Sequence, residues 1–361
     1  MDNAATTPLC NAAKKAIVEH LDTFGNPSSA HEFGRQARVV IEDARERIAK
    51  CINADPEHIY FTSGGSEANT LALHNRHNSA SSKFEHHSVV TDWPKISITK
   101  DGFIKAHKLN NMLSEWWEVP FTVMSCMGVN NELGTIQPAK ELATIAHRYG
   151  ILFHTDAVQA IPYIQIDVKD IGCDMLSGSG HKFGAPKGVG FLYANSRSRV
   201  KPIINGGKQE NGVRPGTENV LGIVAMAAAL EDTIEHMNER NEYIKSLRDS
   251  LLEKLLNIDG AHINGSLENR VPGNINIRFD GVSGARLVSL CSLYGIYISA
   301  GSACSEGIPA PSHVLKAIGL SDEDALSSIR ITLGHQNTEE DVDTAADIIT
   351  ALVQRIRSDE S

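Results

Sequence analysis

Apolar residues recur at helical spacing from Arg35 to Ile52, where Ala37, Val40, Ile41, Ala44, Ile48 and Cys51 share one face of an amphipathic helix. A turn at Asn53-Ala54-Asp55-Pro56 follows, and then a short apolar run, Ile59 to Thr62, that predicts a strand. Ser63-Gly64-Gly65-Ser66 comes next and opens a second helix, Glu67 to His74. Further strand-like runs lie at Phe121 to Met127, Ile151 to Thr155, Met175 to Ser177 and Val189 to Tyr193. Helical patterns fall between them, notably Ala139 to Tyr149. Strands alternating with helices predict an α/β unit on a mostly parallel sheet. A long charged helix, Glu231 to Leu256, leads out of that unit. Beyond it Asn274 to Phe279, Ile296 to Ser299 and Ile329 to Leu333 read as strands among helices, as in a smaller α+β domain. The expected division is a large domain over residues 12–235 and a small one over 1–11 and 236–361.

The length agrees: 361 residues suit two domains at about 100–200 residues each. The formal charge of −10 argues against a general nucleic-acid binder, which would carry a basic stripe or tail. The longest apolar stretch, Val220 to Leu230, falls short of the about 20 residues a membrane-spanning helix needs. Met1-Asp2-Asn3 has neither the basic nor the apolar run of a secretory signal, so a cytoplasmic protein is expected. Six cysteines, at 10, 51, 126, 173, 291 and 304, form no CxxC pair and no metal-ligand spacing. Free thiols are the expectation, five of them as small core residues.

Three stretches carry candidate chemistry. Ser63-Gly64-Gly65-Ser66-Glu67-Ala68-Asn69 lies at a strand-to-helix junction, where backbone N–H groups and the helix dipole favour an anion. Ser177-Gly178-Ser179-Gly180-His181-Lys182 sets a lysine after an apolar strand, where it could form a Schiff base with a carbonyl cofactor. Asp156 closes another strand, where a buried carboxylate needs a cationic partner such as a pyridinium N–H. Each has a plainer reading, as a capped turn, a surface lysine and a helix cap or ion pair. Taken together, in that order on one α/β unit, they describe a site for pyridoxal 5'-phosphate.

With these residues the chain resembles the cysteine desulfurases of the NifS and IscS type, the aminotransferase class V branch of the fold-type I pyridoxal-phosphate enzymes. The resemblance runs from Asp2-Asn3-Ala4-Ala5-Thr6-Thr7-Pro8 to Ser328-Ile329-Arg330 and beyond. It includes Gly25-Asn26-Pro27-Ser28-Ser29, Glu85-His86, Val129-Asn130-Asn131-Glu132, Arg214-Pro215-Gly216-Thr217 and Ser299-Ala300-Gly301-Ser302-Ala303-Cys304. So many motifs in the family's order are specific where one alone would be weak. The resemblance implies that Lys182 carries the cofactor and moves protons at the substrate Cα, and that Asp156 keeps the pyridine nitrogen protonated. Gln159 and Asn131 match groups near the ring's phenolic oxygen, and His86 matches the imidazole stacked on the ring, an acid–base group as well. Gly65, Ser66, Ser179 and His181 match phosphate binders, and Thr217 a phosphate contact given by the other subunit of a homodimer. Arg330 matches the clamp for the substrate carboxylate, with Asn131 beside it, and Cys304 the nucleophile that accepts sulfur.

The implied reaction converts L-cysteine to L-alanine and leaves a persulfide for a sulfur acceptor. The loop from Gly301 to Pro311 resembles that of the subgroup feeding iron–sulfur scaffolds and tRNA-thiolation proteins. Selenocysteine lyase and class V aminotransferase are rival readings, as is a scaffold that binds the cofactor without catalysis; a transaminase has no use for Cys304. No metal site is expected, and His74 and His77 read as helix-surface residues. His87 adjoins His86 and Asn130 adjoins Asn131, which leaves room for a shift of one; the Glu85-His86 pairing favours His86, and the family pattern favours Asn131. Between His86 and Val129 the chain is shorter than the family pattern, with Trp116-Trp117 in an unfamiliar stretch and a helix after Glu85-His86 expected to be trimmed.

Overall fold

A computed structural model describes residues 1–74, 76, 78–89, 92–115, 121–198, 200–300 and 310–359. Seven strands build the larger sheet: β1 (Ile59–Thr62), β2 (Ala80–Ser82), β3 (Lys95–Ile96), β4 (Val123–Ser125), β5 (Leu152–Asp156), β6 (Met175–Ser179) and β7 (Gly190–Ala194). Their order across the sheet is β1-β7-β6-β5-β4-β2-β3. From β6 to β3 every pairing is parallel, while β7 runs antiparallel between β6 and β1. The residues of β6 and β7 are buried throughout, because helices cover both faces and leave no wet side to alternate with.

Helix Glu32–Cys51 places Ala37, Ile41, Ala44 and Ile48 in the core, as its spacing predicts, and begins three residues earlier, at Glu32 after the cap His31. The apolar Val220–Glu235 is buried nearly all round, the fate of a helix without a polar face. The single long helix expected from Glu231 onward is two helices, Val220–Glu235 and Met237–Leu256. They part at His236, whose Nδ1 lies 2.9 Å from the carbonyl of Asp232 and whose backbone leaves the helical region. Charge patterning alone does not reveal a break of one residue.

A second sheet holds β8 (Ala261–Ile263), β9 (Asn274–Phe279), β10 (Ser299–Ala300) and β11 (Ser328–Thr332), in the order β10-β11-β9-β8. β10 is shorter and later than the expected strand at Ile296 to Ser299. Ile275, Ile277, Phe279, Ile329 and Ile331 face helices Met237–Leu256 and Glu339–Asp359 in a core of their own. No helix follows Glu85-His86 among the described residues before β3. None of the described helices is long and apolar enough to cross a membrane.

A buried ion pair ties helix Glu32–Cys51 and the turn Gln209–Gly212 to the edge strand β1. Arg45 meets Glu210 through two hydrogen bonds of 2.7 and 2.8 Å, and Glu210 also accepts the N–H of Phe61 in β1 at 2.8 Å. Glu210 pays for this position with a positive φ of 46°. Glu210→Ala leaves Arg45 only the half-exposed Glu42 as counter-charge and takes the acceptor from the Phe61 N–H, so it should cost up to about 3–5 kcal/mol in urea unfolding. A loss under about 1 kcal/mol would mean the pair is solvated like a surface bridge.

β1 is antiparallel to β7, and β7 to β6, so β1 points the same way as β6, β5, β4 and β2. The carboxyl ends of all five strands open on one edge, where open α/β sheets bind their ligands.

Candidate active site

A cleft of about 540 Å³ lies along that edge. Asp156 enters it from the end of β5, Lys182 from the turn after β6, and His86 from the loop after β2. Arg330 reaches in from β11, so the second sheet supplies one wall.

After β1 the helix Gly65–Leu73 starts at the cleft, and its first-turn N–H groups have no acceptor within the helix. A Cβ on Gly65 would sit 2.7 Å from Val158 Cγ2, so only glycine keeps this approach open. Ser66 and Ser179 flank it. Glu67 is the one acid here. Burial works to raise its pKa, but Arg214, at 2.9 Å, and the N–H of Ser63, at 2.7 Å, hold it below the ordinary value. An anion at the helix start therefore meets a compensated carboxylate.

Asp156 is 4% exposed. Burial drives its pKa up, opposed by the amide of Asn69 at 2.7 Å and the N–H of Val158 at 2.9 Å. The same Asn69 amide donates to Ser88 Oγ at 2.8 Å, and Ser88 Oγ lies 2.8 Å from His86 Nδ1. Since the backbone N–H of Ser88 also donates to that Nδ1, the neutral ring carries its hydrogen on Nε2. Burial lowers the pKa of His86, which keeps the ring neutral near pH 7.

The ε-amine of Lys182 donates to the carbonyls of Ala4 and Ala5 at 2.6 and 2.8 Å. Burial, and then Arg330, push its pKa down to about 8, against the pull of Asp156 and Asp2. Gln159 donates to Ala4 O at 2.9 Å, and His181 Nδ1 lies 3.1 Å from Thr6 Oγ1. Burial and the neighbouring lysines lower the pKa of His181 to about 4. The segment 2–7 thus threads along the cleft and touches Gln159, His181, Lys182 and Arg330.

In each adjacent pair only one side chain lines the cleft. Asn130 is 1% exposed and consumed by backbone, accepting from the N–H groups of Glu132 and Leu133, whereas Asn131 lines the cleft. His87 packs its ring 4.8 Å from that of His313, and His86 faces the cleft. Of the remaining expected residues, Gly65, Ser66, Gln159, Ser179, His181 and Lys182 all line it. Thr217 does not; it is exposed and outside the cleft of its own chain. Cys304, Trp116, Trp117 and His77 lie outside the described residues. His154, two residues before Asp156, is no base: sealed between Ser125 and Ser177, it has a pKa lowered to about 3 by burial.

Sequence reasoning assigned no role to Asn69, Ser88 or Asp2. Asn69 and Asp2 stand inside matched motifs, which was the available signal; Ser88 had none.

Residues 1–344 match the family model for class V aminotransferases. The chain is 40% identical to a cysteine desulfurase IscS of Dictyoglomus turgidum, over 99% of this chain and 95% of that protein. Among solved structures it is similar to a NifS-like protein from Rickettsia africae, with a TM-score of 0.90, 32% identity and coverage of 99% and 98%. It is likewise similar to SspA, solved in complex with cysteine, with a TM-score of 0.79, 33% identity and coverage of 93% and 99%.

Proposed function

The chain belongs to the class V aminotransferase family and is a cysteine desulfurase, and from this we propose that it binds pyridoxal 5'-phosphate on Lys182, seats L-cysteine against Arg330 and moves the substrate's sulfur to Cys304. The family depends on that cofactor. The observation that carries the reading is convergence: residues from six separated stretches, those around Ser66, His86, Asn131, Asp156, Lys182 and Arg330, line one cleft.

The residues present fit the cofactor. Asp156 is buried and takes its hydrogen bonds from neutral donors, which suits a cationic ring N–H. The close approach of Gly65 to Val158 and Ser179 and the helix start beside it suit a phosphate, with Ser66, Ser179 and His181 as further donors. Thr217, exposed and outside its own cleft, would serve the phosphate of a second copy in a cytoplasmic homodimer. Gln159 and Asn131 would lie near the phenolic oxygen, and the neutral ring of His86 against the cofactor face. When bound, the cofactor supplies an electron sink for carbanion chemistry at the substrate Cα.

The chain's own groups do the rest. Arg330 holds the carboxylate and so sets the face that Cα presents. Lys182, with its lowered pKa, takes and returns the Cα proton near neutral pH. The Cys304 thiolate attacks the substrate sulfur; the C–S bond breaks with its electron pair left on carbon, and protonation there yields alanine. The persulfide sulfur then passes to an acceptor protein, such as an iron–sulfur scaffold or a tRNA-thiolation protein.

Incubation with L-cysteine should release alanine and sulfur in equal amounts. Formation of the amino form of the cofactor with an oxo-acid would overturn the reading in favour of a transaminase. Arg330→Ala should raise the KM for cysteine by about tenfold or more while the cofactor stays bound, the scale of a lost charge-assisted bidentate contact. An unchanged KM removes Arg330 from this role. Because only the neutral amine attacks a carbonyl, loading of cofactor onto the apo-protein should quicken as pH rises through about 8 and level off above it. An ordinary lysine would keep gaining toward about 10.4. Absorbance of the lysine-bound cofactor, followed across that range, distinguishes the two.

A further inference from the structure

Arg330 is 8% exposed and pairs with Ser299 across β10 and β11. Its Nη1 donates to the carbonyl of Asn131 at 3.0 Å and its Nη2 to Asp2 Oδ1 at 2.8 Å. Among the described residues its buried Nε has no partner. A guanidinium carries five N–H donors in a rigid fork, so these two bonds leave donors free for an incoming carboxylate.

Asp2 is itself held. Its other oxygen, Oδ2, accepts from Ser299 Oγ at 2.8 Å. Its backbone bridges Thr332, with Thr332 N–H donating to Met1 O at 2.9 Å and Asn3 N–H to Thr332 O at 3.1 Å. A carboxylate tied by its neighbour's hydroxyl and by strand pairing on both sides cannot swing away when substrate arrives. It acts on the orientation of the guanidinium instead of vacating it.

We propose that Asp2, braced by Ser299, is the positioning residue of the substrate-carboxylate clamp. With the carbonyl of Asn131 it sets the plane of the Arg330 guanidinium, so that the N–H groups those two bonds leave free meet the carboxylate of the amino-acid substrate. The proposal rests on the reading of Arg330 given above. It adds a residue that makes no contact with substrate and works through another.

The test is a binding titration on holoenzyme in a Cys304→Ser background, which stops turnover. The ligands are L-cysteine and cysteamine, which lacks the carboxylate, and the readout is the change in cofactor absorbance. Asp2→Ala should weaken L-cysteine by about tenfold, the scale of one charge-assisted hydrogen bond, and leave cysteamine unchanged. Asp2→Asn keeps an acceptor oxygen toward Arg330 and should lose less; it decides the matter if the alanine variant does not fold. Ser299→Ala should act in the same direction as Asp2→Ala. In an Arg330→Ala background Asp2→Ala should add nothing, since the two act as one unit.

Tighter L-cysteine binding by Asp2→Asn would make Asp2 a competitor for Arg330 and overturn the proposal. Equal weakening of both ligands would overturn it too, as a general structural effect. If Arg330→Ala weakens L-cysteine selectively and neither Asp2 variant does, this inference alone falls. If Arg330→Ala leaves the ratio of the two ligands unchanged, the clamp itself is misassigned and the proposal falls with it.

Discussion

Cys304→Ser is expected to keep its cofactor and bind L-cysteine, yet to release alanine slower than wild type by roughly a thousandfold or more, the scale on which losing a nucleophile reads in other enzymes. Sulfur transfer needs a thiolate, and a free thiol with a pKa of about 8.5 supplies one far more readily than a hydroxyl. Serine also cannot hold sulfur in an S–S bond. The other five cysteines are poor substitutes. Burial pushes Cys126 well above the ordinary thiol value, Cys173 to about 12, and Cys51 and Cys291 to about 11, and it also raises Cys10. Mass spectrometry of wild type after exposure to cysteine should find one added sulfur atom on the peptide that contains Cys304. Its appearance on Cys126 or Cys291, or full turnover by the serine variant, would refute the mechanism.

Lys182→Ala should lose turnover on a similar scale, roughly a thousandfold or more, because one group anchors the cofactor and moves the Cα proton. The two carbonyls that hold its amine, Ala4 and Ala5, accept hydrogen bonds without supplying a counter-charge. Burial and then Arg330 lower the amine's pKa to about 8, so the neutral form persists at a pH where an ordinary lysine is protonated. Lys187 also lines the cleft but is exposed. Borohydride reduction of the loaded protein should label Lys182 alone, and Lys187→Ala should take the label as wild type does. A label on Lys187 would overturn the assignment.

Much of this site is legible in the chain because its chemistry sits at strand ends. Asp156 and Lys182 each follow an apolar run, and such runs are strong signals when both faces of a sheet are covered. Element boundaries moved by a few residues, as at β10, where burial of Ile296 and Ile298 looks the same inside or outside a strand. The neighbour choices, His86 over His87 and Asn131 over Asn130, rest on the matched motifs, and it is His86 and Asn131 that line the cleft. Adjacent side chains diverge, and no spacing rule says which one turns toward the cleft. Ser88 links its neighbour His86 to the distant Asn69, and Asp2 meets the distant Arg330, so no family motif or spacing marks either role. Thr217, matched as a contact for another subunit, has the exposure such a residue requires in a single chain.

Segment 2–7 has a bearing on the order of events in synthesis. Asn3 is hydrogen-bonded to Thr332, 329 residues away, and Lys182 to Ala4, 178 residues away. Contacts of such separation must close very large loops, and they form slowly. At a ribosome's pace of about 5–20 residues per second, Thr332 follows Asn3 by tens of seconds. Throughout that interval the nascent polypeptide has its lysine without the carbonyls of Ala4 and Ala5 secured beside it. The surroundings of Lys182 are thus completed by the arrival of β11 and not by the emergence of the lysine itself.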